Sequence, residues 1–206
     1  MGDLVAYLEL GFRHIVSTGA ADHLLFLLVL AAIYRPRDWR ALLWVVTAFT
    51  VGHSLTLALA VTGHLAIPSA WIEFLIPVTI VATALENIVM RDRLASGAGL
   101  RHRPVIALLF GLVHGAGFAG YLRGLLVEDV AAPLLGFNIG VELGQLTVLG
   151  VVALLFVAMD ASVVRGIRVV PTSPALSRLA PLGVRVTAVS SVVAVVATGW
   201  AWQRLP

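Results

Sequence analysis

The chain has 206 residues, 60% of them hydrophobic and only 12% charged, with a mean hydropathy of +0.99. A soluble domain of this size carries about twice that charged fraction, so a water-soluble globular protein is excluded. The formal charge of +3 comes from fourteen basic residues that are all arginine. They are scattered over short connections, which argues against a nucleic-acid stripe. With no cysteine, neither disulfides nor thiolate metal ligation is available.

Residues 1–19 do not read as a cleavable leader, because Asp3 and Glu9 stand where a basic region and an apolar core are required. Leu4, Leu8, Phe12 and Ile15 share one helical face, with Glu9 and Arg13 paired at i,i+4 beside it. That pattern predicts an interfacial helix. Six apolar segments follow, at about 20–34, 41–62, 69–90, 104–124, 133–158 and 186–202; they read as membrane spans, the first of them short and able to borrow length from the preceding helix. Trp200 and Trp202, in the last of them, fit an aromatic belt.

Eleven of the fourteen arginines lie in the first, third and fifth connections, 35–40, 91–103 and 160–185. The second and fourth connections carry none, and the fourth holds Glu128 and Asp129. The positive-inside rule places the arginine-rich connections in the cytoplasm and both termini outside. The expected fold is all-α: one polytopic transmembrane bundle over 1–206, with six spans plus an N-terminal interfacial or re-entrant helix.

Ionisable groups within spans are costly, at roughly 2.5–3.5 kcal/mol each for Asp, Lys or Arg, yet this chain places polar side chains in five of its six spans. They are Asp22 and His23, then His53, then Glu73, Glu86 and Asn87, then His114, and finally Asn138, Glu142 and Gln145. At ~1.5 Å rise per residue, His53, His114 and Glu142 all lie ~14–15 Å below the outer ends of their spans. Asn138 sits ~8 Å down, and Asp22 and His23 shallower. Glu86 and Asn87 lie near the inner end.

Faces agree with depth. Asn138, Glu142 and Gln145 form one stripe, and Gly111, His114, Gly115 and Phe118 another. Thr79, Thr83, Glu86 and Met90 line a third. His14 lies nine residues before His23, on the opposite face of an unbroken helix. It joins the group only if the chain breaks at Ser17-Thr18-Gly19. Glu73 lies near the interface.

Neutral imidazoles with two carboxylates suit a divalent cation, because the two negative charges cancel the ion in a low-dielectric region. Nitrogen and oxygen donors without thiolate favour nickel, cobalt, zinc, iron or manganese over Cu(I), and ligand type does not choose among them. The bland alternative for Asn138, Gln145, Ser54 and the threonines is interhelical hydrogen bonding.

Several stretches resemble the HupE/UreJ family of bacterial membrane proteins. They are Gly11-Phe12-Arg13-His14-Ile15 and Asp22-His23-Leu24-Leu25-Phe26, then Phe49-Thr50 with His53-Ser54-Leu55-Thr56, and Ala84-Leu85-Glu86-Asn87. Gly19 between the first two, Phe110-Gly111-Leu112-Val113-His114-Gly115 with Gly117-Phe118-Ala119, and Phe137-Asn138 with Gly140-Val141-Glu142-Leu143-Gly144-Gln145 complete the set. The resemblance runs to about residue 150. It implies a nickel-linked role, as an uptake permease or as an accessory to hydrogenase or urease maturation.

The leading expectation is a multi-pass transporter of divalent metal in the bacterial inner membrane. Asp22, His23, His53, His114 and Glu142 would bind the ion, with Glu86 and Asn87 toward the cytoplasm. His14, Glu73, Asn138 and Gln145 are further candidates. The rival from another class is an intramembrane metal-dependent hydrolase or transferase, with Glu142 or Asp22 as general base against a lipid or acyl substrate. Expected partners are lipids and the metal ion, with a metallochaperone or a second copy of the chain as candidates, and no nucleic acid.

Overall fold

The computed structural model describes residues 2–91, 101–123, 130–167 and 174–206. Glu128 and Asp129 lie outside them. Seven α-helices and no strands occur among the described residues: α1 (Gly2–Val16), α2 (Ala21–Ala31), α3 (Trp39–Val61), α4 (Ser69–Val89), α5 (Arg103–Arg123), α6 (Ala131–Ile167) and α7 (Pro174–Gln203). The five from α3 to α7 are long and apolar enough to cross a membrane. The chain is an all-α helical bundle.

The first of the six expected spans has a different construction. α2 has 11 residues, ~16 Å of helix and half a bilayer. It reaches spanning length only together with α1, across a bend of 67°. The bend is local: Ser17 is extended at φ −77°, ψ 154°, and Thr18–Ala20 form a single 3-10 turn. Gly19 stands in that turn, as the sequence suggested.

Three helix pairs organise the bundle: α1 along α6, α3 along α5, and α4 along α7. Glycines set the first two. A methyl group on Gly11 would drive into the Phe137 carbonyl, and one on Gly140 into the Leu8 carbonyl. Gly136 lies against Leu4 and Gly144 against Phe12 and Ile15. The numbers rise together, so α1 and α6 run parallel. The apolar face expected to lie on the interface is therefore the face turned to α6, where Ile15 is fully buried. Gly52, Gly111 and Gly115 bring α3 and α5 equally close, against the backbone of Leu108, Phe49 and His53. Without a hydrophobic driving force in lipid, such backbone approach is what holds helices together.

Arg91, Arg103 and Arg185 lie at one end of the bundle, the arginine end. Arg185 of α7 is 1% exposed. It donates to the carbonyls of Ala32 (2.9 Å) and Tyr34 (2.8 Å) just beyond α2, and to Asp160 of α6. Asn87 of α4 donates to the Val29 carbonyl of α2 at 2.7 Å and accepts from Arg103 of α5. Charge that would be expensive in lipid is thus spent on helix-terminal carbonyls. α6 continues to Ile167 and α7 begins at Pro174, so much of the 160–185 connection is helix.

Candidate metal centre

The break between α1 and α2 decides the site. Because the chain turns at Ser17–Ala20, His14 at the end of α1 and His23 at the start of α2 face each other, with ring centroids 4.8 Å apart. His53 projects from α3 to within 6.2 Å of His14 and 6.1 Å of His23, centroid to centroid. One donor nitrogen from each of these three rings lies within 4.8 Å of the others. His114 of α5 stands next to this group, 5.2 Å from His23.

Hydrogen bonding fixes which nitrogens are available. Asp22 Oδ1 accepts the His23 backbone N–H at 2.8 Å and lies 3.0 Å from His23 Nδ1. An ionised carboxylate only accepts, so Nδ1 carries the proton and Nε2 keeps its lone pair. The Thr79 hydroxyl donates to the Ile76 carbonyl at 2.7 Å. It therefore accepts from His114 Nε2–H at 3.0 Å, which leaves Nδ1 as the basic nitrogen. Among the described residues, His14 Nε2, His23 Nε2, both nitrogens of His53 and His114 Nδ1 are buried without a hydrogen-bond partner.

Buried polar atoms are nearly always paired. Unpaired imidazole nitrogens gathered in one hollow are the donor set of a borderline transition metal. The residues fit such an ion. Two nitrogens on one ion at ~2.1 Å each stand at most ~4.2 Å apart, so the rings must close slightly around it. Asp22 backing His23 is the carboxylate–histidine arrangement that orients a metal ligand.

Aromatic rings enclose the hollow. Phe118 lies 4.1 Å from the His14 ring and stacks on Phe137 at 4.9 Å. Phe26 and Phe49 lie 5.3 and 5.1 Å from the His114 ring. Sequence reasoning gave these phenylalanines no part in the site. The available signal was spacing, since Phe49 with His53, and His114 with Phe118, stand at i,i+4.

Glu142 accepts from the Thr47 hydroxyl at 3.1 Å, and Gln145 from Thr50 at 2.8 Å, along the α3–α6 seam. Asn138 Oδ1 is buried and unpartnered among the described residues. Glu73 is exposed beside a cavity of about 220 Å³ at the end opposite the arginines, also lined by Ser69 and Gly117. Glu86 binds Arg103 at 3.0 Å and His102 at 2.6 Å. With Asn87 it forms an ion-paired knot at the arginine end.

The sequence profile described as HupE / UreJ protein matches residues 1–204. The chain belongs to the HupE/UreJ family. Comparison with curated proteins and with solved structures returned no match for either. Family membership carries a metal-related accessory or transport role, and the histidine cluster of this HupE/UreJ protein supplies chemistry suited to it.

Proposed function

We propose that this HupE/UreJ protein binds a divalent transition-metal ion of the nickel type and carries it across the bacterial inner membrane. One observation carries the reading: imidazole donors from both sides of a broken helix, and from α3, converge unpaired in one buried hollow. Discontinuous helices flanking a central site are a recurrent transporter construction. His14, His23 and His53 are the ion's first contacts, Asp22 holds His23, and His114 completes the group. Glu142, Gln145 and Asn138 provide the next polar layer, and the Glu86–Asn87 knot guards the arginine end. The positive-inside rule puts that end in the cytoplasm and both termini outside.

Uptake of radiolabelled nickel into proteoliposomes tests this. Imidazole ligates only when neutral, so protons compete with the ion and uptake should fall as external pH drops from about 7.5 to 5.5. Uptake that is flat over this range, or unchanged in His23→Ala, contradicts the proposal.

One observation favours a second reading. Phe26 and Phe49, each 1% exposed, close the hollow toward the arginine end, as the floor of an intramembrane metal-dependent hydrolase would. In that case Asp22 is the candidate base, and metal-dependent cleavage of a lipid or acyl ester without uptake is the outcome expected.

A further inference from the structure

His14 and His114 are related by more than proximity. Each stands three residues after a glycine pressed onto a phenylalanine carbonyl: Gly11 on Phe137, Gly111 on Phe49. The correspondence continues atom by atom. Gly11 also meets the amide nitrogen of Val141, and Gly111 that of His53. Gly140 meets the Leu8 carbonyl and the Phe12 nitrogen, while Gly52 meets the Leu108 carbonyl and the Leu112 nitrogen. Gly-x-x-His therefore occurs twice, on α1 and α5, and Phe-x-Ile/Val-Gly twice, on α6 and α3.

The two copies run in opposite directions. α1 is parallel to α6, and α5 to α3. α3 and α6 are antiparallel, since Leu42 and Leu149 line one groove while His53 stacks on Phe137. The remaining helices, α4 and α7, pack on each other antiparallel, with Asn87 against Ser190 and Arg91 against Thr187. The segments α1–α3–α4 and α5–α6–α7 are thus inverted repeats, with the histidine group at their interface.

Of the aromatic rings, Phe137 and Phe49 are counterparts under this relation, and each is joined by a ring from outside it, Phe118 of α5 and Phe26 of α2. Phe118 and Phe137, 4.9 Å apart, bracket His14, and Phe26 and Phe49, 4.8 Å apart, bracket His114. The first bracket stands by an open groove of about 400 Å³, lined by Leu10, Arg13, His14, Ser17 and Gly19 with Phe118.

We propose that His14 and His114 are the two terminal contacts of one ion path, each guarded by its own phenylalanine pair. The ion passes between them over His23 and His53, and exchange of the two repeats' conformations opens one gate as the other closes. This rests on the transport reading above.

The chain has no cysteine, so an introduced thiol is the sole target of a membrane-impermeant maleimide in sealed vesicles. Leu10→Cys and its repeat counterpart Phe110→Cys report the two gates. Leu10→Cys should react from the end opposite the arginines and Phe110→Cys from the arginine end. Phe118→Ala should speed the first and slow the second by roughly two- to tenfold, the worth of one ring pair, and Phe26→Ala should do the reverse. Should Phe110→Cys not fold, Arg13→Cys and Val113→Cys form a second counterpart pair. Rates that change in the same direction in both phenylalanine variants, or reaction of both thiols from one end only, overturn the exchange. Equilibrium dialysis of the unsubstituted protein against nickel separates the two ideas. Reciprocal labelling without nickel binding removes the metal reading alone, and nickel binding without reciprocity removes the exchange alone.

Discussion

Asp22 binds its own neighbour twice, through the backbone N–H and the Nδ1 of His23, with one carboxylate oxygen serving both. The consequence is a ring held with Nε2 toward His14 and His53. Asp22→Ala frees the ring and its tautomer, and nickel affinity by calorimetry should fall about 10- to 100-fold, as for other second-sphere carboxylates. Asp22→Asn keeps an acceptor for Nδ1–H and should lose less. Equal affinity in both variants and the parent would show that this pair does not orient a ligand.

The glycine contacts predict a stability pattern confined to one side of each helix. Gly111→Ala and Gly140→Ala place a methyl group on a carbonyl oxygen of the partner helix, and overpacking of this kind costs about 1–3 kcal/mol. Gly120→Ala and Gly150→Ala lie on the same two helices, with open space at the new methyl. They should be neutral or gain up to about 1 kcal/mol of helix propensity. Thermal unfolding in detergent distinguishes the two classes.

Arg185 joins three helices through buried bonds to Ala32, Tyr34 and Asp160. Arg185→Ala leaves two carbonyls and a carboxylate without their donor. The Asp160 side chain is 29% exposed, so the cost belongs at the lower end of the range for broken buried pairs, about 3 kcal/mol. Arg165→Ala, at an exposed position, should leave the unfolding midpoint unchanged.

The membrane bundle was legible because apolar runs and arginine clusters are properties of the chain alone. Depth arithmetic also brought His53 and His114 to one level, and left His23 shallower. It did not predict which way side chains turn about their helices. Glu142 shared that level, yet its carboxylate rests on Thr47. His14 depended on a backbone break that a single glycine suggests but does not require, and the 67° bend supplied it. The roles of Arg103 and Arg185 were hidden for a related reason. Both stand at connections where solvent was the expected partner, and the convergence of helix ends there depends on tertiary packing.

The measurement that bears most directly on the whole account is nickel binding to purified protein, by elemental analysis and equilibrium dialysis. The comparison set is His14→Ala, His23→Ala and His53→Ala, each checked for intact helicity. The account predicts one ion per chain in the parent, and at least about tenfold weaker binding in each variant. A parent that binds no ion, or three variants that retain it as tightly as the parent, would contradict it.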